Sequence, residues 1–231
     1  MSSLNFKTFE EAAGIAFNDV ELLRQAFTHR SYLNEHRGEV RGHNERLEFL
    51  GDAVLELVST YFLYQKFPDR PEGDLTAFRA ALVNAVTCAE VAQELGMNDY
   101  LLLSRGEAKD TGRARGVLLA NAFEALVGAL YIDQGYEAAE KFIHTFLLPK
   151  IDGIVQNRLW QDAKSTLQEK AQEHEGATPT YAVLKEMGPD HDKHFLVGVY
   201  VKDALLAEGE GKSKQEAEQT AARAALEKKG W

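Results

Sequence analysis

The sequence contains one cysteine, Cys88, among 231 residues, so it excludes an internal disulfide and a cysteine-rich zinc domain and predicts a small core side chain at that position. Five prolines and 27% charged residues do not indicate disorder, and 45% apolar residues suffice for a core. No stretch reaches the roughly 20 apolar residues of a membrane-spanning helix. The first residues lack the basic and apolar regions of a secretory signal. These absences predict a cytoplasmic protein with no membrane partner.

An excess of positive charge is also missing. The chain has 26 Lys and Arg against 36 Asp and Glu, which gives a formal net charge of −10 at pH 7. Nucleic-acid-binding domains usually have a basic bias. Charge alone therefore argues against a nucleic-acid partner, unless carboxylates bind metal ions and the basic residues cluster locally.

Two patterns divide the chain. Residues up to about 150 show helical periodicity, with helices predicted near 44–64, 75–95, 117–134 and 137–146, and with capping boxes at Thr8–Glu11 and Asn18–Glu21. A linker near 150–161 precedes a helix at 164–175, strands at 180–186, 195–202 and 205–208, and a helix at 213–229. The predicted fold class is multidomain: an all-α domain over residues 4–150, then a small α+β domain (α-β-β-β-α) over residues 161–230.

Three carboxylates share one face of the helix predicted at 44–64. Glu45, Glu48 and Asp52 follow at i, i+3 and i+7. A solvated acidic face is the simplest interpretation, but the acids are embedded in an apolar segment. Gly51 also lies in the helix interior, where glycine costs about 1 kcal/mol relative to alanine. A glycine there indicates that another backbone or a ligand comes close.

The helix predicted at 117–134 supplies a matching polar pair. Asn121 and Glu124 lie at i and i+3 among apolar residues, where polar groups need partners. If the two helices face each other, the pair joins Glu48 and Asp52 in an all-oxygen cluster. Such ligands suit Mg²⁺ or Mn²⁺ better than zinc. A carboxylate-held Mg²⁺ activates water and neutralises the departing oxygen in phosphodiester hydrolysis.

The segment Asn44-Glu-Arg-Leu-Glu-Phe-Leu-Gly-Asp52 resembles, without a gap, the signature of the ribonuclease III family of double-stranded-RNA endonucleases. Further segments resemble the motifs of this family in the same order; they are Phe27–Ser31, Glu72–Thr76, Arg79–Val83, Leu119–Gly128 and Tyr131–Asp133. The C-terminal part resembles a double-stranded-RNA-binding domain. The resemblance therefore covers nearly the whole chain.

The resemblance implies an endoribonuclease that depends on Mg²⁺, with Mn²⁺ as a substitute, and that needs no small-molecule cofactor. Such an enzyme hydrolyses double-stranded RNA to 5′-phosphates with short 3′ overhangs, processes rRNA and mRNA precursors, and acts as a homodimer. Asp52 and Glu124 match the catalytic positions. Together with Glu48 and Asn121, they match the metal-binding positions.

Three outer positions also match the family. Glu45 and Glu72 match supporting acidic residues of the catalytic valley. Phe49 matches an aromatic side chain that packs into the partner subunit, and an ordinary core phenylalanine is an equally good interpretation of this residue.

Asn121 departs from the family pattern, which usually has Asp three residues before Glu124. An amide offers a carbonyl oxygen to a metal, but it adds no negative charge. The alternative function is therefore a non-cleaving double-stranded-RNA-binding protein whose metal site Asn121 has weakened. An acidic helical interaction protein is a third hypothesis, which leaves the lysines at the last helix unexplained.

The C-terminal domain predicts RNA contacts in three regions, because the resemblance places contacts to two minor grooves and a phosphate there. These residues are Ser165, Gln168 and Glu169 on the first helix, His191 in the loop before the second strand, and Lys212, Ser213 and Lys214 at the last helix. The free N–H groups and the dipole at that helix start favour a phosphate. Because these lysines cluster locally, the negative net charge of the chain does not argue against a nucleic-acid partner.

Overall fold

The chain divides into two units, Met1–Trp160 and Gln161–Trp231, in a computed structural model. The structure describes residues 4–36, 38, 40–109, 112–189 and 193–231. The α-helices of the first unit are α1 Phe6–Ala13, α2 Val20–Ala26, α3 Arg30–Glu35, α4 Glu45–Lys66, α5 Glu72–Leu82, α6 Ala85–Glu94, α7 Arg113–Gln134, α8 Tyr136–Phe146 and α9 Lys150–Gln156. Short 3₁₀ helices lie at Met97–Tyr100 and Glu107–Lys109.

Helix α7 forms the centre of the first unit. It packs against α2, α4, α6 and α8. By length and hydropathy, Ala114–Gln134 could cross a membrane, but 56% of its most apolar window is buried against the rest of the protein. The side chains of Leu119, Phe123 and Leu126 are almost completely buried. The apolar character of α7 is therefore that of a core helix.

The single helix predicted at 75–95 is wrong, because the structure has two helices there. The chain turns by 46° between α5 and α6. Asn84 takes an extended conformation, and its side chain accepts hydrogen bonds from the N–H groups of Val86 and Thr87. This cap begins a new helix within a continuous apolar pattern.

Two predicted helix starts are also wrong by one to three residues. Asn5, not Thr8, caps α1 by accepting from Lys7 N, and Asp19, not Asn18, caps α2 by accepting from Glu21 N. Both observed caps are an Asn or Asp side chain, and these residue types are strong N-caps.

The linker predicted at 150–161 is wrong over most of its length. Residues Lys150–Gln156 form α9, which buries Ile151 and packs against α5. Farther along, the ring of Trp160 meets Phe78 edge-on at a centroid distance of 4.8 Å. These apolar contacts attach the segment to the first unit.

The second unit confirms the predicted α-β-β-β-α order. Its elements are α10 Ala163–Glu175, β1 Thr180–Met187, β2 His194–Val201, β3 Ala204–Gly211 and α11 Lys214–Lys229. The strands form one antiparallel sheet in the order β1-β2-β3. Both helices lie on one face, where Leu167 and Ala221 share a core with Val199 and Val201. The close fit needs Gly209, because a Cβ there would stand 2.1 Å from Ala221 N.

Candidate active site and RNA-binding surface

Helices α4 and α7 touch through their backbones. A Cβ at Gly51 would stand 1.8 Å from the carbonyl oxygen of Glu124, and a Cβ at Gly128 would stand 2.1 Å from that of Leu47. No real contact is so short, so both positions require glycine. The prediction that a backbone comes close to Gly51 is confirmed.

This contact brings the polar side chains of the two helices together. Glu48, Asn121 and Glu124 are partly buried, and Asp52 is exposed. Burial first, and then the charges of Asp52 and Glu48, raise the pKa of Glu124 from 4.5 to about 7. The three carboxylates predicted to form a cluster therefore act on one another.

Glu48 also experiences repulsion between carboxylates, here from acids on its own helix, α4. Its pKa is raised by burial first and then by the charges of Glu45 and Asp52. A hydrogen bond from the amide of Asn121 opposes this rise. Asn121 thus stabilises the charge of Glu48, which an aspartate at the same position could not do while ionised.

The side chains of this cluster have the chemistry of a hard-cation site. Carboxylate and amide oxygens suit Mg²⁺ or Mn²⁺, and the repulsion that raises the pKa of Glu124 is what a bound cation would relieve. Among the residues that the structure describes, no group of three His, Cys, Asp or Glu side chains lies close enough together to hold a metal ion.

The two supporting acids are in different surroundings. Glu45 lies 3.6 Å from a guanidinium nitrogen of Arg30 and 3.7 Å from Nδ1 of His43, and its charge reaches Glu48. Glu72 instead accepts a hydrogen bond from Thr76 at 3.0 Å. Glu72 is not among the charges that shift the pKa of Glu48 or Glu124. Glu45 therefore acts electrostatically on Glu48, whereas the hydrogen bond of Glu72 is to Thr76 on its own helix, α5.

Phe49 is not a core residue of this chain. Its side chain is 81% exposed, on the turn of α4 that also carries Glu48. Together with Leu22 and Ile132 it lines a surface cavity. The structure excludes the interpretation of Phe49 as an ordinary core phenylalanine.

In the second unit, α10 presents its three predicted contact residues on one exposed face. Ser165, Gln168 and Glu169 are all exposed and follow at i, i+3 and i+4. The helix begins earlier than the predicted Ser165–Gln168 capping box, because Asp162 caps it and accepts from the N–H groups of Lys164 and Ser165. The capping box predicted there is therefore wrong, although the face it was placed on is exposed.

The start of α11 has the predicted cap. Ser213 accepts a hydrogen bond from Glu216 N, and the Glu216 carboxylate accepts from Lys212 N at 2.8 Å. The ammonium group of Lys214 lies 3.3 Å from Glu186 and 5.5 Å from the ring centre of Phe195. Both lysines are exposed beside the helix start. The prediction at His191 lies outside the described residues.

The sequence analysis did not foresee the hydrogen bonds of Asp162, Gln219 and Asp133. Gln219 on α11 donates to Asp162 at 2.7 Å. Asp133, near the end of α7, accepts from the backbone N–H groups of Asn18 and Asp19 at 2.7 and 2.9 Å. The cap at Asp162 could have been predicted, because an aspartate directly before a helical pattern is a capping signal. The bonds of Gln219 and Asp133 could not, because they join residues far apart in the sequence.

Comparison with known proteins covers both units. The family described as Ribonuclease-III-like matches residues 19–151, and the double-stranded RNA binding motif matches residues 163–229. Ribonuclease 3 of Enterococcus faecalis is 50% identical over 218 residues, which are 94% of either chain. Ribonuclease 3 of Bacillus licheniformis is 48% identical over 223 residues, which are 96% of this chain and 89% of that protein.

A solved structure resembles the first unit. It is the nuclease domain of ribonuclease III from Campylobacter jejuni, described as having structural flexibility in a region involved in dimer formation. The superposition has a TM-score of 0.57 at 37% sequence identity and covers 63% of this chain and 99% of that domain.

Proposed function

This chain belongs to the ribonuclease III family and is an endonuclease that acts on double-stranded RNA in RNA processing. We propose that it cuts RNA at the oxygen-bearing side chains where α4 meets α7. The observation that carries this proposal is the electrostatic coupling of Glu48, Asp52 and Glu124 across the Gly51 contact. We assign the endonuclease activity to residues 4–150 and RNA binding to residues 161–230.

Mg²⁺ is the proposed cofactor, with Mn²⁺ as a substitute. A cation bound there would activate water and neutralise charge on the leaving oxygen. Glu48, Asp52 and Glu124 would supply carboxylate oxygens, and Asn121 an amide oxygen. Asp52 and Glu124 are the proposed catalytic residues.

The second unit would hold the duplex for cleavage. Ser165, Gln168 and Glu169 form an exposed polar face that suits ribose hydroxyls in a minor groove. Lys212, Ser213 and Lys214 combine positive charge with a helix N-terminus, which suits a phosphate. These features bind A-form shape largely without reading base sequence.

The enzyme is proposed to act as a homodimer in the cytoplasm. An exposed phenylalanine such as Phe49 is costly in water and suits a subunit interface, and the related Campylobacter nuclease domain has a region involved in dimer formation. Glu45 and Glu72 would then line the valley between the active sites as supporting acids. Staggered cuts at two sites across the duplex would leave short 3′ overhangs, and departure of the 3′-oxygen at each cut would leave 5′-phosphates.

The alternative is a protein that binds double-stranded RNA without cutting it. Asn121 favours this alternative, because it removes one negative charge from the cation site. A cleavage assay on end-labelled duplex RNA, with Mg²⁺ and with EDTA, decides between them. The proposal expects 5′-phosphorylated fragments only with Mg²⁺. Binding of the duplex without cleavage in either Mg²⁺ or Mn²⁺ would support the alternative.

A further inference from the structure

The hydroxyl group of Ser165 has a fixed direction. Its Oγ lies 2.8 Å from Oδ2 of Asp162. An ionised carboxylate has no proton to give, so the serine must donate the proton of this hydrogen bond. Toward solvent, Ser165 therefore presents only lone pairs, and it can accept a hydrogen bond but not donate one.

The carboxylate of Asp162 is itself held in place. Its other oxygen, Oδ1, accepts from Lys164 N at 3.2 Å, from Ser165 N at 3.3 Å and from Nε2 of Gln219 at 2.7 Å. These hydrogen bonds, that of Gln219 foremost, lower the pKa of Asp162 although burial opposes the change. Asp162 thus stays ionised at neutral pH, and α11 fixes the cap of α10.

We infer that Asp162, held by Gln219, is a positioning residue that makes Ser165 an obligate hydrogen-bond acceptor toward the ribose 2′-hydroxyl of a bound duplex. This inference rests on the proposed RNA-binding function of α10. Phosphate oxygens are acceptors and cannot pair with such a serine. The minor groove offers two donors, the guanine amino group and the 2′-hydroxyl, and only the latter occurs at every nucleotide and distinguishes RNA from DNA.

The test compares duplexes that differ only in the ribose substituent. The full chain, in EDTA to prevent cleavage, is titrated with an RNA duplex and with the same duplex carrying 2′-fluoro groups. Fluorine keeps the A-form sugar pucker, but it cannot donate a hydrogen bond. The measured quantity is the ratio of the dissociation constants, fluoro over hydroxyl. Ser165→Ala should lower this ratio about fivefold, the effect of one typical hydrogen bond.

Asp162→Asn is the decisive variant, because it reverses the polarity at Ser165. Three N–H groups point at Oδ1, so the amide oxygen must take that position and the NH₂ group must face Ser165. Ser165 then accepts from the amide, and its proton turns outward. Asparagine caps helices as well as aspartate does, so α10 should persist. The fluoro-to-hydroxyl ratio should fall to that of Ser165→Ala.

Asp203→Asn provides the matched control. It makes the same change of charge in the same unit, at an exposed turn residue with φ of 63°, a conformation that asparagine tolerates. This variant should keep the wild-type ratio. Circular dichroism and thermal melting check that every variant is folded.

Two results would overturn the inference. An unchanged ratio in folded Asp162→Asn would show that Asp162 does not set the direction of the Ser165 hydroxyl. An unchanged ratio in Ser165→Ala would show that Ser165 meets some other group, such as a guanine amino group. Equal affinity of the wild-type chain for RNA and DNA duplexes would instead refute the proposed RNA-binding function, so the two failures are distinguishable.

Discussion

Gly51 lies directly against the backbone of Glu124: a Cβ on the glycine would stand 1.8 Å from the glutamate carbonyl oxygen. The distance between α4 and α7 is therefore set by the absence of a side chain. Since the two helices carry the carboxylates of the proposed active site, this contact also sets how strongly those carboxylates interact.

Gly51→Ala should destabilise the protein by about 3 kcal/mol or more, because the helices must separate to admit the methyl group. Gly153→Ala is the matched control, since Gly153 is also helical but has no atom near the added Cβ. That substitution should stabilise by about 0.5–1 kcal/mol. Urea unfolding measures both changes. Equal stability of the two variants would contradict the close contact.

Glu124→Gln should abolish cleavage of duplex RNA and leave duplex affinity within about twofold of the wild type. The amide keeps the shape of the side chain but removes the charge from the proposed cation site. Glu11→Gln, an exposed change of the same kind on α1, should cleave normally. Measurable turnover in Glu124→Gln would remove Glu124 from the catalytic residues.

The stability of the metal-free protein should depend on pH through Glu124. Burial, with the charges of Asp52 and Glu48, raises its pKa from 4.5 to about 7. Between these pH values the folded chain holds a proton that the unfolded chain releases. This group therefore stabilises the folded state at low pH, and its contribution is lost as the pH rises to about 7.

Urea unfolding in EDTA, at several values between pH 4.5 and 7, measures this effect. The free energy of unfolding should decrease with pH, by at most about 1.4 kcal/mol per pH unit from one proton. Glu124→Gln should remove this part of the slope, and Glu11→Gln should not. A slope that is the same in all three proteins would show that Glu124 titrates normally.

Asn121→Asp should lower the Mg²⁺ concentration needed for cleavage. Two unit charges about 4 Å apart interact by about 4 kcal/mol at an effective dielectric of ~20, and even ~1.4 kcal/mol of this corresponds to tenfold in affinity. The experiment titrates Mg²⁺ and Mn²⁺ against cleavage rate for both proteins, and Mn²⁺ should reduce the difference. Superimposable Mg²⁺ curves would show that the charge at position 121 does not matter.

Replacing Lys212 and Lys214 by Gln should reduce the steepness of the slope of log affinity against log salt concentration by about 1.8, the value for two lost phosphate contacts. Lys7→Gln with Lys141→Gln removes the same charge from exposed positions on α1 and α8, and should leave the slope unchanged. Binding of duplex RNA in EDTA at several salt concentrations measures it. An identical slope in both double variants would mean that neither Lys212 nor Lys214 touches phosphate.

The sequence was sufficient where local patterns decide the structure. The glycine inside an acidic, apolar helix predicted the close backbone at Gly51, and the pattern at 195–202 predicted the strand β2, in which Val197, Val199 and Val201 are buried. These features depend on periodicity and on the conformational cost of glycine, both of which are readable along one segment.

The sequence was insufficient where distant residues compete for a role. An unbroken apolar pattern concealed the turn at Asn84, and the linker prediction missed the burial of Ile151 and the ring contact of Trp160. The bond between Gln219 and Asp162 depends on tertiary packing, because it joins residues 57 positions apart in the sequence.

Cys88, on α6, is completely buried, and burial together with the charges of Glu124 and Asp52 raises the pKa of its thiol to about 12. A thiol reagent in neutral solution therefore meets neither an accessible sulfur nor a thiolate while the helices stay packed. Because it is the only cysteine in the chain, the rate of its labelling reports how often the structure around α6 opens. The labelling rate of this native thiol therefore measures how fast the structure beside the proposed active site opens, without an added probe.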